Sequence, residues 1–114
     1  MNCKALTLIL LILCQPALAQ TDQYRFGRIN VDHGLSHNQI KTIHKDSKGF
    51  TWIGTISGLN RYDGYTIKVF RNVPGDSASL ISSDINKVFE GPGGTMWIHT
   101  WTGTNLYDPA TERF

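Results

Sequence analysis

Cysteine is scarce in this chain of 114 residues and is confined to its beginning. Cys3 and Cys14 are the only two, and both lie in a segment that we expect to be removed. The mature chain would then have no disulfide framework and no thiol chemistry. A small exported domain without disulfides must gain stability from a larger core or from neighbouring repeats.

An excess of charge of one sign is also lacking. The chain has 11 Lys and Arg against 9 Asp and Glu, and Lys4 lies in the segment expected to be removed, which leaves 10 basic against 9 acidic side chains. This balance favours neither nucleic acid nor acidic lipid as a partner. We therefore expect no direct nucleic-acid contact by this chain.

Recognisable catalytic and metal-binding motifs are absent from the sequence. It contains no G-x-S-x-G, H-E-x-x-H, Walker or dinucleotide-binding pattern. His33 and His37 are four residues apart, but their segment lacks helical periodicity, and His44 and His99 are isolated. We expect no catalytic residue, no metal site and no cofactor in this chain.

The first 19 residues have the pattern of a signal peptide. Lys4 supplies a positive start, residues 5–14 form an apolar run, and Ala17 and Ala19 are the small residues of an A-x-A cleavage site before Gln20. We predict a signal peptide over residues 1–19 and a mature chain that begins at Gln20.

Two alternatives for this leader are weaker. Its apolar stretch is shorter than the roughly 20 residues that a membrane-spanning helix needs. A lipid anchor on Cys14 would require a small residue at the position of Leu13, which is bulky. We therefore expect the chain to be exported rather than anchored through its own N-terminus.

An internal repeat is the main feature of the mature sequence. When the chain is compared with itself at a spacing of 45 residues, the identities cluster at residue types that form turns and cores. A period near 45 is typical of propeller blades or of helical arrays. The aligned pairs are Ile40 with Ile85, Gly49 with Gly94, Trp52 with Trp97, Ile53 with Ile98, Gly58 with Gly103, Asn60 with Asn105, Tyr62 with Tyr107 and Asp63 with Asp108.

Turn residues recur every six to ten positions and leave no room for helices. The runs between them are rich in β-branched and aromatic residues, and Asp63-Gly64 is a strong hairpin signal. The fold class is therefore all-β, with four-stranded antiparallel sheets that form propeller blades. The predicted strands are 40–44, 51–54, 59–62 and 65–70 in the first repeat, and 85–89, 95–98 and 105–108 in the second.

These strands divide the mature chain into three parts. Residues 20–34 include a strand at 24–26 that can serve to close a propeller ring, residues 35–79 form repeat 1, and residues 80–114 form repeat 2, truncated within its fourth strand. A propeller needs about four to eight blades. We therefore expect an incomplete propeller of two blades, with sheet faces left open.

Two sets of side chains are assigned to structure rather than to chemistry. Trp52 and Trp97 occupy the same strand position in both repeats, where an indole can fill the gap between adjacent sheets. Asp46, Asp63 and Asp108 each precede or lie in a turn, where a carboxylate accepts hydrogen bonds from backbone N–H groups.

Three segments in combination resemble the two-component regulator propeller repeats at the N-terminus of Bacteroidetes-type hybrid sensor histidine kinases. They are residues 34–40 (GLSHNQI), 46–55 (DSKGFTWIGT) and 58–64 (GLNRYDG). The second repeat departs from the pattern at His99, which stands where Gly54 does, at Thr104, which stands where Leu59 does, and at Trp101.

This resemblance implies a periplasmic sensor whose propellers continue into a single transmembrane helix, a histidine kinase core and a DNA-binding response regulator. Such sensors often respond to oligosaccharides and regulate transcription. The implied partners are an oligosaccharide ligand, the remainder of the same receptor and a second receptor molecule in a homodimer. The membrane anchor and the kinase activity would lie in the missing regions, so this fragment itself would not be an enzyme.

His99 and Trp101 are the candidate ligand-binding residues. We expect residues 54–58, 99–103 and 72–80 to lie on one side of the propeller, and loops on such a face commonly carry binding residues. An indole can stack on a sugar ring while an imidazole exchanges hydrogen bonds with its hydroxyls. The alternative is that Trp101 packs against a neighbouring blade or against the loop from Asn72.

Two other functions remain open from the sequence. The chain could be part of an exported propeller hydrolase or lyase, whose later blades would carry pairs of acidic residues. It could also be part of a structural or adhesive propeller that ends once its ring is closed. The DNA downstream of Phe114 would distinguish these from a sensor.

Overall fold

The computed structural model describes residues 27–114, so the predicted signal peptide and the strand predicted at 24–26 lie outside the described residues. The described part contains two antiparallel sheets and two short 3-10 helices, Val31–His33 and Pro92–Gly94. Blade 1 consists of β1 (Ile40–Lys45), β2 (Thr51–Thr55), β3 (Gly58–Tyr62) and β4 (Ile67–Phe70), and blade 2 of β5 (Ile85–Glu90), β6 (Met96–Thr100) and β7 (Thr104–Tyr107).

Each blade is a meander in which consecutive strands are hydrogen-bonded neighbours. The all-β fold class and the seven strands predicted from the turn signals are confirmed, with bounds that differ by about two residues at most. Both first strands also share an irregularity, a register shift between Ile40 and Thr42 and another between Ile85 and Lys87. The 45-residue period therefore extends to local backbone geometry.

The fourth strand expected near the end of repeat 2 is not formed among the described residues. After β7 the backbone makes an isolated bridge between Asp108 and Arg113. Phe114 then packs onto the rings of Phe70 and Tyr107, with centroid distances of 5.4 and 5.3 Å. The ring of Phe114 thus packs at the seam between the two blades.

The core lies in the seam between the two blades. Trp52 is 1% exposed and packs edge-on against Tyr107, with centroids 4.9 Å apart, and Phe70 contacts both rings. The prediction that Trp52 fills the gap between sheets is confirmed. The other buried apolar residues of the cluster are Leu59, Leu80, Ile85, Val88, Met96 and Ile98.

Trp97 differs from its equivalent Trp52, because it is only half-buried. It lies on the side of blade 2 that faces away from blade 1, where its ring is parallel to that of Phe89 at 6.1 Å. The expectation that both indoles occupy a gap between sheets holds for Trp52 alone within residues 27–114, since no described sheet covers this side of blade 2.

An asparagine holds the chain segment that enters each blade. The Ser36 N–H donates to the Asn60 side-chain oxygen at 2.9 Å, and the Ile81 N–H donates to the Asn105 oxygen at the same distance. Asn60 is fully buried and also donates to the carbonyl of Ile53. This pair of contacts explains why the sequence repeats asparagine at this strand position.

Candidate functional site

Because both blades are meanders, the connections fall at two opposite edges. The β2–β3 turn, the β6–β7 turn and the β4–β5 connection lie at one edge, which we call the upper edge. Two hydrogen bonds join these segments: the Arg71 Nε–H donates to the Ser57 carbonyl at 2.9 Å, and the Trp101 N–H donates to the Asp84 carbonyl at 3.0 Å. The predicted grouping of residues 54–58, 99–103 and 72–80 is therefore observed.

Trp101 is the most open aromatic side chain at the upper edge. It is 75% exposed, although its backbone is held firmly by the turn. The Thr100 N–H and hydroxyl both donate to the Gly103 carbonyl at 2.7 Å. A fixed backbone with an open indole provides a flat apolar surface at low entropic cost to a ligand.

His99 lies two residues earlier, within β6, and its side chain is on the same side of the sheet as Trp97. Its Nδ1 is hydrogen-bonded to the Thr104 hydroxyl, and its ring lies edge-on to Phe89 at 6.4 Å. The structure brings His99 and Trp101 to the upper end of one strand, but it records no hydrogen bond between them. Whether the two bind a ligand stays a prediction.

A recess lies at the opposite, lower edge, in the seam between the blades. It has a volume of about 210 Å³. Arg61 crosses it, donating to the Tyr107 hydroxyl at 2.7 Å and to Glu112 Oε1 at 2.9 Å. The guanidinium carbon also lies 4.9 Å from the centre of the Phe50 ring. Two of the guanidinium N–H groups of Arg61 are thus engaged within the chain.

Charge and burial shift two ionisable groups of this recess in opposite directions. Lys68 and Arg61 beside Glu112 hold the pKa of that carboxyl below its ordinary value of 4.5. Burial raises the pKa of Tyr107 above its ordinary value of 10.0, against the opposing effect of Arg61. At neutral pH Glu112 is therefore ionised between two cations, Arg61 and Lys68, and Tyr107 is a neutral phenol, an arrangement that suits a structural contact.

Sequence reasoning missed Arg61 and Glu112. The signal for Arg61 was the repeat itself, because Leu106 stands at its equivalent position and shows that a blade does not require arginine there. Glu112 gave no signal, since its contacts with Arg61 and Lys68 depend on how the last residues fold back over blade 1.

The aspartates serve as turn acceptors, as predicted. Asp46 accepts hydrogen bonds from the N–H groups of Lys48 and Phe50 and from Trp52 Nε1, at 2.9, 2.9 and 2.8 Å. Asp63 and Asp108 accept backbone N–H bonds that hold the pKa of each carboxyl below its ordinary value of 3.8.

Within residues 27–114, the structure has no group of three or more His, Cys, Asp or Glu side chains placed to hold a metal ion. No helix in the same range is long and apolar enough to cross a membrane. His44 Nε2 is buried in the seam without a hydrogen-bond partner. This geometry defines packed blades of a β-propeller, with a candidate binding surface at the upper edge.

Comparison with known proteins confirms the resemblance read from the sequence. Residues 34–57 match the family described as two component regulator propeller. Histidine kinase P4 of Formosa agariphila is 41% identical over 62 residues, which make up 54% of this chain and 4% of that protein. Residues 34–57 thus resemble a two-component regulator propeller repeat, and the chain spans only a small part of the length of this kinase.

Solved structures agree with this assignment. The extracellular domain of the hybrid two component system BT3049 of B. thetaiotaomicron superposes with a TM-score of 0.67 and 31% identity, covering 75% of this chain and 12% of that one. The extracellular domain of the hybrid system BT4673 from the same organism gives 0.61 and 30%, covering 78% and 13%. The described blades thus resemble part of these extracellular domains, and this chain spans about an eighth of their length.

Proposed function

We propose that this chain forms two blades of the ligand-sensing propeller of a periplasmic hybrid two-component sensor histidine kinase. The observation that carries the proposal is the superposition on the BT3049 extracellular domain over three quarters of the chain, at 31% identity. The similarity to Histidine kinase P4 supports a parent with kinase activity. The fragment contributes recognition, while phosphoryl transfer and regulation of transcription would belong to other regions of the parent.

The proposed ligand is an oligosaccharide bound at the upper edge. Trp101 offers an exposed indole face on a turn fixed by Thr100 and Gly103. His99 has one ring nitrogen engaged with Thr104, which leaves the other free to donate to or accept from a sugar hydroxyl. Apolar stacking combined with hydrogen bonding suits a sugar, which has both apolar C–H faces and hydroxyl groups.

Export and assembly complete the proposal. Residues 1–19 would act as a cleaved signal peptide that delivers the propeller to the periplasm, and the full receptor would span the inner membrane through a later segment and function as a homodimer. The solved relatives are described as extracellular domains, which supports export. N-terminal sequencing of the exported protein should give Gln20 as its first residue.

The test of this function uses the receptor that contains this chain, reconstituted in membrane vesicles. Autophosphorylation is measured while oligosaccharides of different composition are presented on the propeller side. The proposal expects at least one of them to change the level of phosphohistidine. A downstream reading frame that closes a propeller and stops, without membrane helix or kinase motifs, would contradict it.

A further inference from the structure

The 45-residue repeat relates the free side of blade 2 to the side of blade 1 that is buried in the seam. We call the free side the outer face of blade 2. Its residues are Lys87, Phe89, Trp97, His99, Thr104 and Leu106, and their equivalents on blade 1 are Thr42, His44, Trp52, Gly54, Leu59 and Arg61. Each residue of the outer face can therefore be compared with its equivalent in blade 1, whose surroundings in the seam with blade 2 are described.

The seam between the blades closes at its upper end because residue 54 is glycine. A Cβ atom on Gly54 would lie 2.6 Å from Ile85 Cγ2 and 2.5 Å from Thr42 Cγ2. Both distances are shorter than van der Waals contact allows, so even alanine would force the blades apart. Ile85, which blade 2 inserts at this point, is fully buried.

On the outer face of blade 2 this glycine is replaced by His99. By analogy with the described seam, the imidazole lies where the isoleucine of an adjoining blade would insert, and Lys87 in place of Thr42 adds further bulk. The lower part of the face keeps the apolar character of a seam, because the stacked rings of Phe89 and Trp97 lie beside the half-exposed Leu106.

The sheet that matches such a face is known from blade 2 itself, which presents Ile85, Val88, Met96 and Tyr107 to blade 1, all buried. The equivalents on blade 1, which lie on the side facing away from blade 2, are Ile40, Ile43, Thr51 and Tyr62. Ile40 and Ile43 are 41% and 63% exposed. Repeats of this chain thus carry complementary sides, one with an indole and one with a tyrosine.

In a propeller the outer face of blade 2 is covered by the next blade. We propose that His99 selects which blade fits there, namely one with glycine or alanine at the position where blade 2 has Ile85. Trp97 takes the role that Trp52 has in the described seam and packs against the tyrosine of the incoming blade. This recognition places the imidazole of His99 in the seam between two blades, so the ligand contact proposed at the upper edge would then fall to Trp101 alone.

A second copy of the chain is the probe for this selection, because its blade 1 presents Ile40 in the place of Ile85 and Tyr62 in the place of Tyr107. Sedimentation equilibrium measures head-to-tail association of the wild-type chain, His99→Gly, Ile40→Ala and the double variant. Each single substitution relieves the same clash and should tighten association about tenfold. The double variant should gain little more than either single one, since the clash can be relieved only once.

Two controls make the result specific. Trp97→Ala in the His99→Gly background should remove the gain, whereas Tyr65→Ala, which alters a 94% exposed ring at the lower edge, should leave it intact. If the only effect of Ile40→Ala were the loss of apolar contact area, this substitution would weaken association, whereas the proposal predicts that it tightens association. If neither His99→Gly nor Ile40→Ala tightens association while circular dichroism shows native sheet content, the selection by His99 is wrong. Should His99→Gly fail to fold, Ile40→Ala alone decides the question.

Discussion

The indole of Trp52 in blade 1 meets the phenol ring of Tyr107 in blade 2 edge-on, with ring planes inclined at 67°. The same tyrosine accepts a hydrogen bond from Arg61 of blade 1. Tyr107 thus provides both an apolar and a polar contact across the seam. Tryptophan and tyrosine are also residue types that the sequence repeats at a spacing of 45 residues. Packing between blades is therefore the reason for the repeat.

Removal of the Trp52 ring should destabilise the chain strongly. Trp52→Ala would leave a cavity among Phe70, Tyr107 and the apolar core, and we expect the free energy of unfolding to fall by about 3–5 kcal/mol. Urea denaturation followed by circular dichroism measures the loss. Trp101→Ala is the matched control, because its ring is exposed, and it should change stability by less than about 0.5 kcal/mol. Equal effects of the two substitutions would refute the assignment of the core.

The carboxylate of Asp46 should stabilise the first turn and the buried indole together. Asp46→Ala leaves Trp52 Nε1 without its acceptor and should lower the free energy of unfolding by about 1–3 kcal/mol. Asp46→Asn retains one acceptor oxygen and should cost less. Asp32→Ala, at an exposed carboxylate near the N-terminus of the described part, serves as the control. A loss from Asp46→Ala no larger than that of the control would disprove the role of this hydrogen bond.

A single methyl group at the closest point of the seam should also be costly. Gly54→Ala places a Cβ against Ile85 and Thr42, and we expect a loss of about 1–3 kcal/mol in thermal or urea unfolding. Gly27→Ala is the control, since nothing lies within 4 Å of its added Cβ. Unchanged stability of Gly54→Ala would show that the blades are not in close contact there.

Acid should weaken the fold through its turn carboxylates. The pKa values of Asp63, Asp108 and Glu112 are each lowered in the folded chain. Their stabilisation is therefore complete above the ordinary values of 3.8 and 4.5 and is lost as the pH falls through the lower folded values. The melting temperature should be level from about pH 6 to 7 and decrease below about pH 4.

Asparagine substitutions test the origin of this acid sensitivity. The double variant Asp63→Asn with Asp108→Asn should melt at a lower temperature near neutral pH, and its melting temperature should depend less steeply on pH below 4. If the melting temperature of the double variant falls below pH 4 as steeply as that of the wild-type chain, groups other than Asp63 and Asp108 cause the acid sensitivity.

Much of the fold could be predicted because glycine, aspartate and tryptophan mark turns and core positions locally. The seven strands and the burial of Trp52 follow from signals within each repeat. The half-exposed state of Trp97 could not be predicted, since burial of a side chain on a blade face depends on the neighbouring sheet. The packing of Phe114 into the seam, in place of a strand, likewise depends on contacts distant in sequence.

The candidate site was predictable only as a departure from the repeat. His99 and Trp101 stand out because the equivalent positions in the first repeat are Gly54 and Ile56. Their placement at the upper edge follows from the meander, but the exposure of Trp101 required the structure. The network of Arg61 and Glu112 involves a segment that comes after the last strand, which the repeat pattern does not describe.

Binding of oligosaccharides to the propeller that contains this chain tests the central claim most directly. Isothermal titration calorimetry compares the wild-type propeller with Trp101→Ala at the upper edge and with Tyr65→Ala, which removes an exposed ring at the opposite edge. If the upper edge is the sensing surface, Trp101→Ala weakens binding by about 1–3 kcal/mol and Tyr65→Ala has no effect. Equal affinity of the wild-type propeller and a folded Trp101→Ala variant for the inducing oligosaccharide would contradict the account.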